Sequence, residues 1–101
     1  MASRLKLQTM LEELLGSRNV YFQPPMSIKM NYPAIVYNRN NIDSKHADDL
    51  SYAQFTSYEI IVIDRNPDSE IVQKISKLPR CRFDRHYTSE NLNHDAFTLY
   101  F

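Results

Sequence analysis

The sequence predicts an α+β domain: one mostly antiparallel sheet of about four strands, two helices packed on one of its faces, and a long polar loop between two strands. Three features predict it. Leucines at helical spacing open the chain, an Asn-Pro-Asp-Ser-Glu helix start stands past its middle, and stretches rich in β-branched and aromatic residues flank that second helix on both sides.

Leu7, Leu11, Leu14 and Leu15 recur at i, i+4, i+7 and i+8, which paints one face of a helix, while Lys6, Gln8, Glu12 and Glu13 take the other faces. Gly16, the only glycine, follows where a left-handed residue can receive the last helical carbonyls, so the first helix is placed at residues 3–15. Val20, Tyr21 and Phe22 make too short a run for a strong strand. Pro24-Pro25 predicts an extended, polyproline-like connector. After Pro33, residues 34–37 (Ala-Ile-Val-Tyr) read as the first strand. Residues 38–49 have almost no apolar content and are predicted as the long loop, since Asn and Asp are the residues best able to take positive φ where glycine is missing.

β character returns over residues 50–64, ending in Ile60-Ile61-Val62-Ile63, which is apolar on both faces. Such a strand is expected to be covered on both faces, by a helix on one and by another layer or a neighbouring subunit on the other. In the second helix Asn66 is the expected N-cap and Pro67 the first residue, with Asp68 and Glu70 in the first turn. Ile71, Ile75 and Leu78 form its buried face and Pro79 ends it. Two strands, residues 80–87 and 95–101, are joined by a turn over 88–93. Phe97, Leu99 and Phe101 alternate with Ala96, Thr98 and Tyr100, and are expected in the core together with Phe83 and Tyr87.

A chain of 101 residues with 43% hydrophobic content supports one domain, 1–101, with a single modest core. Its 12 basic and 12 acidic residues leave a net charge of +0, so the global positive field with which nucleic-acid binders collect phosphates is missing, and no specific nucleic-acid binding is expected. No apolar run approaches the roughly 20 residues that span a bilayer, and Glu12-Glu13 interrupts the start where a signal peptide would be apolar. Synthesis in a cytoplasm and no membrane partner are the expectations. The single cysteine cannot form an internal disulfide.

The stretch CRFDRHYTSENLNHD, residues 81–95, gathers the residue types of metal and nucleophile chemistry. Cys81, His86 and His94 lack the close spacing of zinc ligand pairs, and strand alternation sends Cys81 and His86, an odd number apart, to opposite faces. The same separation denies Cys81 a proton acceptor for nucleophilic attack. Asp48-Asp49 lies in the most polar stretch, where water keeps carboxylates ordinary. Phosphate-binding loops need more than one glycine. Arg80, Arg82 and Arg85 with Tyr87 are neutralised by Asp84, Glu90 and Asp95. No enzyme activity, catalytic residue, metal or cofactor is therefore expected.

The string YEIIVIDRNPDSEIVQKISKLPRCRFDRHYTSENLNHDAFTLYF, with NVYFQPPMSIKMNYPAIVYNR before it, resembles the tail terminator or tail-completion (tail-to-head joining) proteins of long-tailed bacteriophages. The resemblance is one of overall pattern across nearly the whole chain, with no catalytic motif in it. It implies a virion protein of the tail and neck, a subunit that forms a homo-oligomeric ring, commonly a hexamer. The ring caps the tail tube, stops its polymerisation and meets the head-completion or stopper protein. Expected partners are thus further copies of the chain, the tail tube protein and the stopper. A stopper role for this chain itself is the alternative, and a small non-enzymatic binding module a more distant one. On this view residues 39–49 project from the subunit and order against the tube or a neighbour, with Arg39, Asn41, Asp43, Lys45, His46, Asp48 and Asp49 as interface candidates alongside Arg85 and His86. A mobile surface loop is the competing expectation for the same residues.

Overall fold

The computed structural model describes residues 4–24, 29–47 and 50–101, with side chains described outside residues 41–55. The elements run α1 (Arg4–Leu15), β1 (Val20–Phe22), β2 (Ala34–Ala47), β3 (Leu50–Asp64), α2 (Glu70–Ser76), β4 (Cys81–Ser89) and β5 (Leu92–Tyr100). The strands make one sheet in the order β1-β2-β3-β5-β4, parallel only between β1 and β2. The protein is α+β. The described residues hold five strands, against the four or so that the sequence indicates, because β1 is a strand by pairing: its three residues lie beside Ile35, Val36 and Tyr37. Residues 25–28, part of the predicted Pro24-Pro25 connector, lie outside the described set.

The leucine stripe of α1 turns to the core as expected, Leu7 and Leu11 at 0% exposure and Leu14 and Leu15 partly buried, and Gly16 closes the helix at φ 78° while its amide donates to Glu12 O at 2.9 Å. The face of the sheet that meets α1 carries Tyr37, Ile60 and Phe97, which stand opposite one another across β2, β3 and β5. Each is fully buried, and burying such a side chain stabilises by about 1.5–3 kcal/mol. Ile75 of α2 joins the same cluster, so both helices cover this face.

Tyr37 also ties α1 to the sheet through polar contacts. Its hydroxyl donates to Gln8 Oε1 and accepts from Arg4 Nη1 at 3.2 Å. Gln8 Nε2 donates in turn to Val20 O at 3.1 Å, and the Arg4 guanidinium lies 4.6 Å from the Phe22 ring centre. Burial pushes the Tyr37 hydroxyl above its ordinary pKa of 10.0, against the smaller downward pull of Arg4.

Four local expectations are corrected. The second helix does not start at Asn66 and Pro67: Asn66 Oδ1 accepts the Asp68 amide at 3.0 Å in a turn, and α2 begins at Glu70 after Ser69. It ends at Ser76, and Pro79 stands beyond it. The turn predicted over 88–93 shrinks to Glu90 and Asn91, both at positive φ (53° and 65°), which is the two-residue hairpin geometry that matches strand twist. The long polar loop at 38–49 does not exist as a loop: β2 continues to Ala47 and pairs with β3 up to Leu50, leaving Asp48 and Asp49 outside the described residues. The physical reason is that a two-stranded ladder is held by backbone hydrogen bonds and needs no apolar period.

That last correction changes the shape of the molecule. On one side of the ribbon β1 reaches only Tyr37, and on the other β5 pairs with β3 only as far as Ser57, with Phe101 and Thr56 exchanging one further pair of backbone bonds. The ribbon beyond them extends over seven residues of β2, Asn41 to Ala47, on the order of 20 Å at ~3.3 Å per residue. The molecule accordingly measures 50 × 24 × 23 Å.

Candidate functional site

The hairpin of β4 and β5 holds the residues that looked most like chemistry. Antiparallel register pairs Cys81 with Leu99, Arg82 with Thr98 and Phe83 with Phe97, then skips to Arg85 with Ala96, His86 with Asp95 and Tyr87 with His94. Asp84 is the extra residue of a β-bulge. One added residue reverses the alternation beyond it, so His86 shares the face of Cys81 and Phe83 and does not lie opposite Cys81 as simple alternation predicts. Sharing a face does not make them partners. Four steps along the paired strand separate their registers, on the order of 13 Å at ~3.3 Å per step, too far for a thiol to pass its proton to the imidazole.

The polar groups of the hairpin that looked most like chemistry are engaged by neighbours. His86 Nδ1–H donates to Asp95 Oδ1 at 2.8 Å, and Asp95 is only 8% exposed. Asp84 accepts from Arg82 Nε at 3.1 Å through one oxygen and from the Thr98 hydroxyl at 2.6 Å through the other, which fastens the bulge across the strands. On the face opposite the helices Tyr87 stacks on His94 at 4.8 Å and Arg85 lies 5.3 Å from the Tyr87 ring centre. The Cys81 thiol is pushed above its ordinary pKa of 9.0, first by burial and then by the Asp84 charge, the reverse of what an attacking thiolate needs. Among the described residues no three His, Cys, Asp or Glu side chains converge as metal ligands. No described helix is long and apolar enough to cross a membrane.

Phe83 departs from its expected place in the core. It is 50% exposed on β4, the sheet's outer strand, with its ring packed edge-on to the buried Phe97 at 5.4 Å. Tyr87 is partly buried.

The interface candidates fall into two groups that the fold keeps apart. Arg39 is exposed where β2 leaves the body of the sheet, and Asn41, Asp43, Lys45 and His46 occupy successive registers of the ribbon opposite Ser57, Phe55, Ala53 and Ser51. Arg85 and His86 lie on β4, with β3 and β5 between them and β2. Sequence reasoning missed the other half of the ribbon. Residues 50–58 of β3 carry no charge, a run visible in the sequence once it is set against the charged β2 strand that it faces.

Comparison with protein-family models, with curated proteins and with solved structures returns no match to this chain.

Proposed function

We propose that this chain is a structural subunit of a bacteriophage neck, a tail terminator whose copies close into a ring on the end of the tail tube and join it to the head. Two things support the reading: the sequence pattern and, above all, the projecting ribbon. A pair of strands that leaves its sheet buries little by itself and is marginal in water. Its natural use is contact with another molecule.

Recognition without chemistry is the mechanism. A head-to-tail contact repeated around an axis closes a ring, and the net charge of +0 spares the copies mutual repulsion. The body supplies a rigid platform through the Tyr37, Ile60 and Phe97 core, and the ribbon reaches beyond it. Charged positions on β2, Arg39, Asp43 and Lys45 among them, set register with the tube or with the next copy.

The test is position in the particle. Gold-labelled antibody raised against the chain is expected to mark the head–tail junction of virions of the encoding phage. Label on the capsid shell, at the distal tail tip or nowhere on the particle overturns the reading.

A further inference from the structure

The ribbon has two open edges, and they differ. Beyond Arg39, whose amide is taken by Gln23 Oε1 at 3.3 Å, residues 40–47 of β2 have no described strand on their outer side. Beyond Thr56, residues 50–55 of β3 have none on theirs. Each edge therefore presents a row of backbone donors and acceptors, the template on which another strand adds. The β2 edge carries Asp43 and Lys45, whereas the β3 edge carries no charge.

The outer edge of the body is built the other way. β4 sets Arg82, Asp84 and Arg85 in its exposed middle and breaks its ladder with the Asp84 bulge. Charges and a bulge are the devices by which an outer strand refuses a partner. β1 at the far edge is three residues long. The ribbon has irregularities of its own, an extra residue at Asn40 on β2 and another at Tyr52 on β3, and β2 carries two charges. But Asn41 to Lys45 run in unbroken register and the β3 edge is free of charge, so the ribbon offers the uncharged acceptor edge.

We propose that these two edges take each other: β3 of one copy pairs antiparallel with β2 of the next, so that closing the ring also closes a β-barrel made of ribbons. The occupant is a second copy of this chain because it supplies the missing edge on both sides at once. Rotation about a ring axis keeps every ribbon in the same up-and-down sense, which sets β3 against its neighbour's β2 antiparallel. Pairing an uncharged strand with a charged one opposes no like charges, whereas β2 against β2 would bring Asp43 and Lys45 near their own copies. Pairing β3 with β3 would leave the β2 edges open. Only the alternating arrangement leaves no edge unpaired.

The inference rests on the ring reading, and the two fail differently. Hydrogen exchange by mass spectrometry is run on the full chain at concentrations below and above assembly, with native mass spectrometry giving the oligomer. A variant with residues 41–56 replaced by an Asn-Gly turn is measured alongside. The expected result is a ring in which amides of residues 42–47 and 50–55 exchange slower than in the monomer by on the order of 100-fold, and a shortened variant whose body amides stay protected but which remains monomeric. A ring with fast-exchanging ribbons, or the same ring from the shortened variant, overturns the barrel and leaves the ring standing. A full chain that is monomeric at every concentration removes both.

Discussion

Replacing Phe97 by alanine removes the side chain on which the core and the outer hairpin both rest. Phe97 is 0% exposed, stands opposite Ile60 on one side and Phe83 on the other, and packs its ring edge-on against Phe83. A fully buried Phe→Ala change costs about 3–5 kcal/mol, because the lost transfer energy is joined by the cavity left behind. Against the ~5–15 kcal/mol typical of a domain this is a large fraction. Phe83 is the matched control: half of its surface is already in water, so Phe83→Ala forfeits roughly half of a ~1.5–3 kcal/mol burial term plus about 1 kcal/mol of ring pairing. Urea unfolding followed by circular dichroism reads both. With a slope near 1–3 kcal/mol per molar, Phe97→Ala is expected to lower the midpoint by roughly 2 M and Phe83→Ala by about half as much. The double variant should fall short of the sum by about 0.5–1.5 kcal/mol, since the pair is lost only once. A Phe97→Ala cost no larger than that of Phe83→Ala refutes the assignment of core and edge.

Three further outcomes follow from other parts of the structure. Tyr37→Phe deletes the hydroxyl shared by Arg4 and Gln8 and is expected to cost about 1–2 kcal/mol in thermal or urea unfolding, since it leaves two partly buried partners unsatisfied; an unchanged midpoint would remove the latch from the account. Cys81 keeps its proton to higher pH in the folded chain than its ordinary value of 9.0, so alkylation by iodoacetamide at pH 8 should be slower in the native protein than in urea. By linkage, the unfolded thiol ionises first and this group erodes stability as pH climbs above ~9; equal alkylation rates in the two states would contradict it. Glu90 takes a left-handed conformation that suits it poorly, so the double change Glu90→Asn with Asn91→Gly should raise stability by about 0.5–1 kcal/mol, and a loss would show that the turn is not of this type.

Sequence reasoning read well wherever side-chain burial dictates backbone form. Leu7 and Leu11 placed α1 because its buried face recurs at the helical period, and the large apolar residues Phe97 and Leu99 at every second position placed β5, although Ala96 and Thr98 on the other face are buried too. It failed where the backbone is organised by something other than burial. Residues 38–47 look like a loop because they carry almost no apolar residues, while their β form is set by the backbone ladder to β3. Asn66 and Pro67 carry a true helix-start signal, but the Asn66 side chain spends it on a turn ahead of α2. The Asp84 bulge left no mark in composition, yet it moved His86 to the other face and beside Asp95. Among the interface candidates, Arg85 is occupied with Tyr87 and His86 with Asp95, while those on β2 stand on the part of the molecule that leaves the body.

On the proposed reading, the most direct measurement is the length distribution of tails made by a phage whose copy of this chain is deleted, taken by electron microscopy of the lysate. Loss of a terminator leaves tube growth unchecked, and the expected result is headless tails spread well beyond the wild-type length, restored to one length when the full chain is supplied in trans. Headless tails of normal, uniform length would assign the chain to a stopper role. Intact virions with normal tails would contradict its place in the neck altogether.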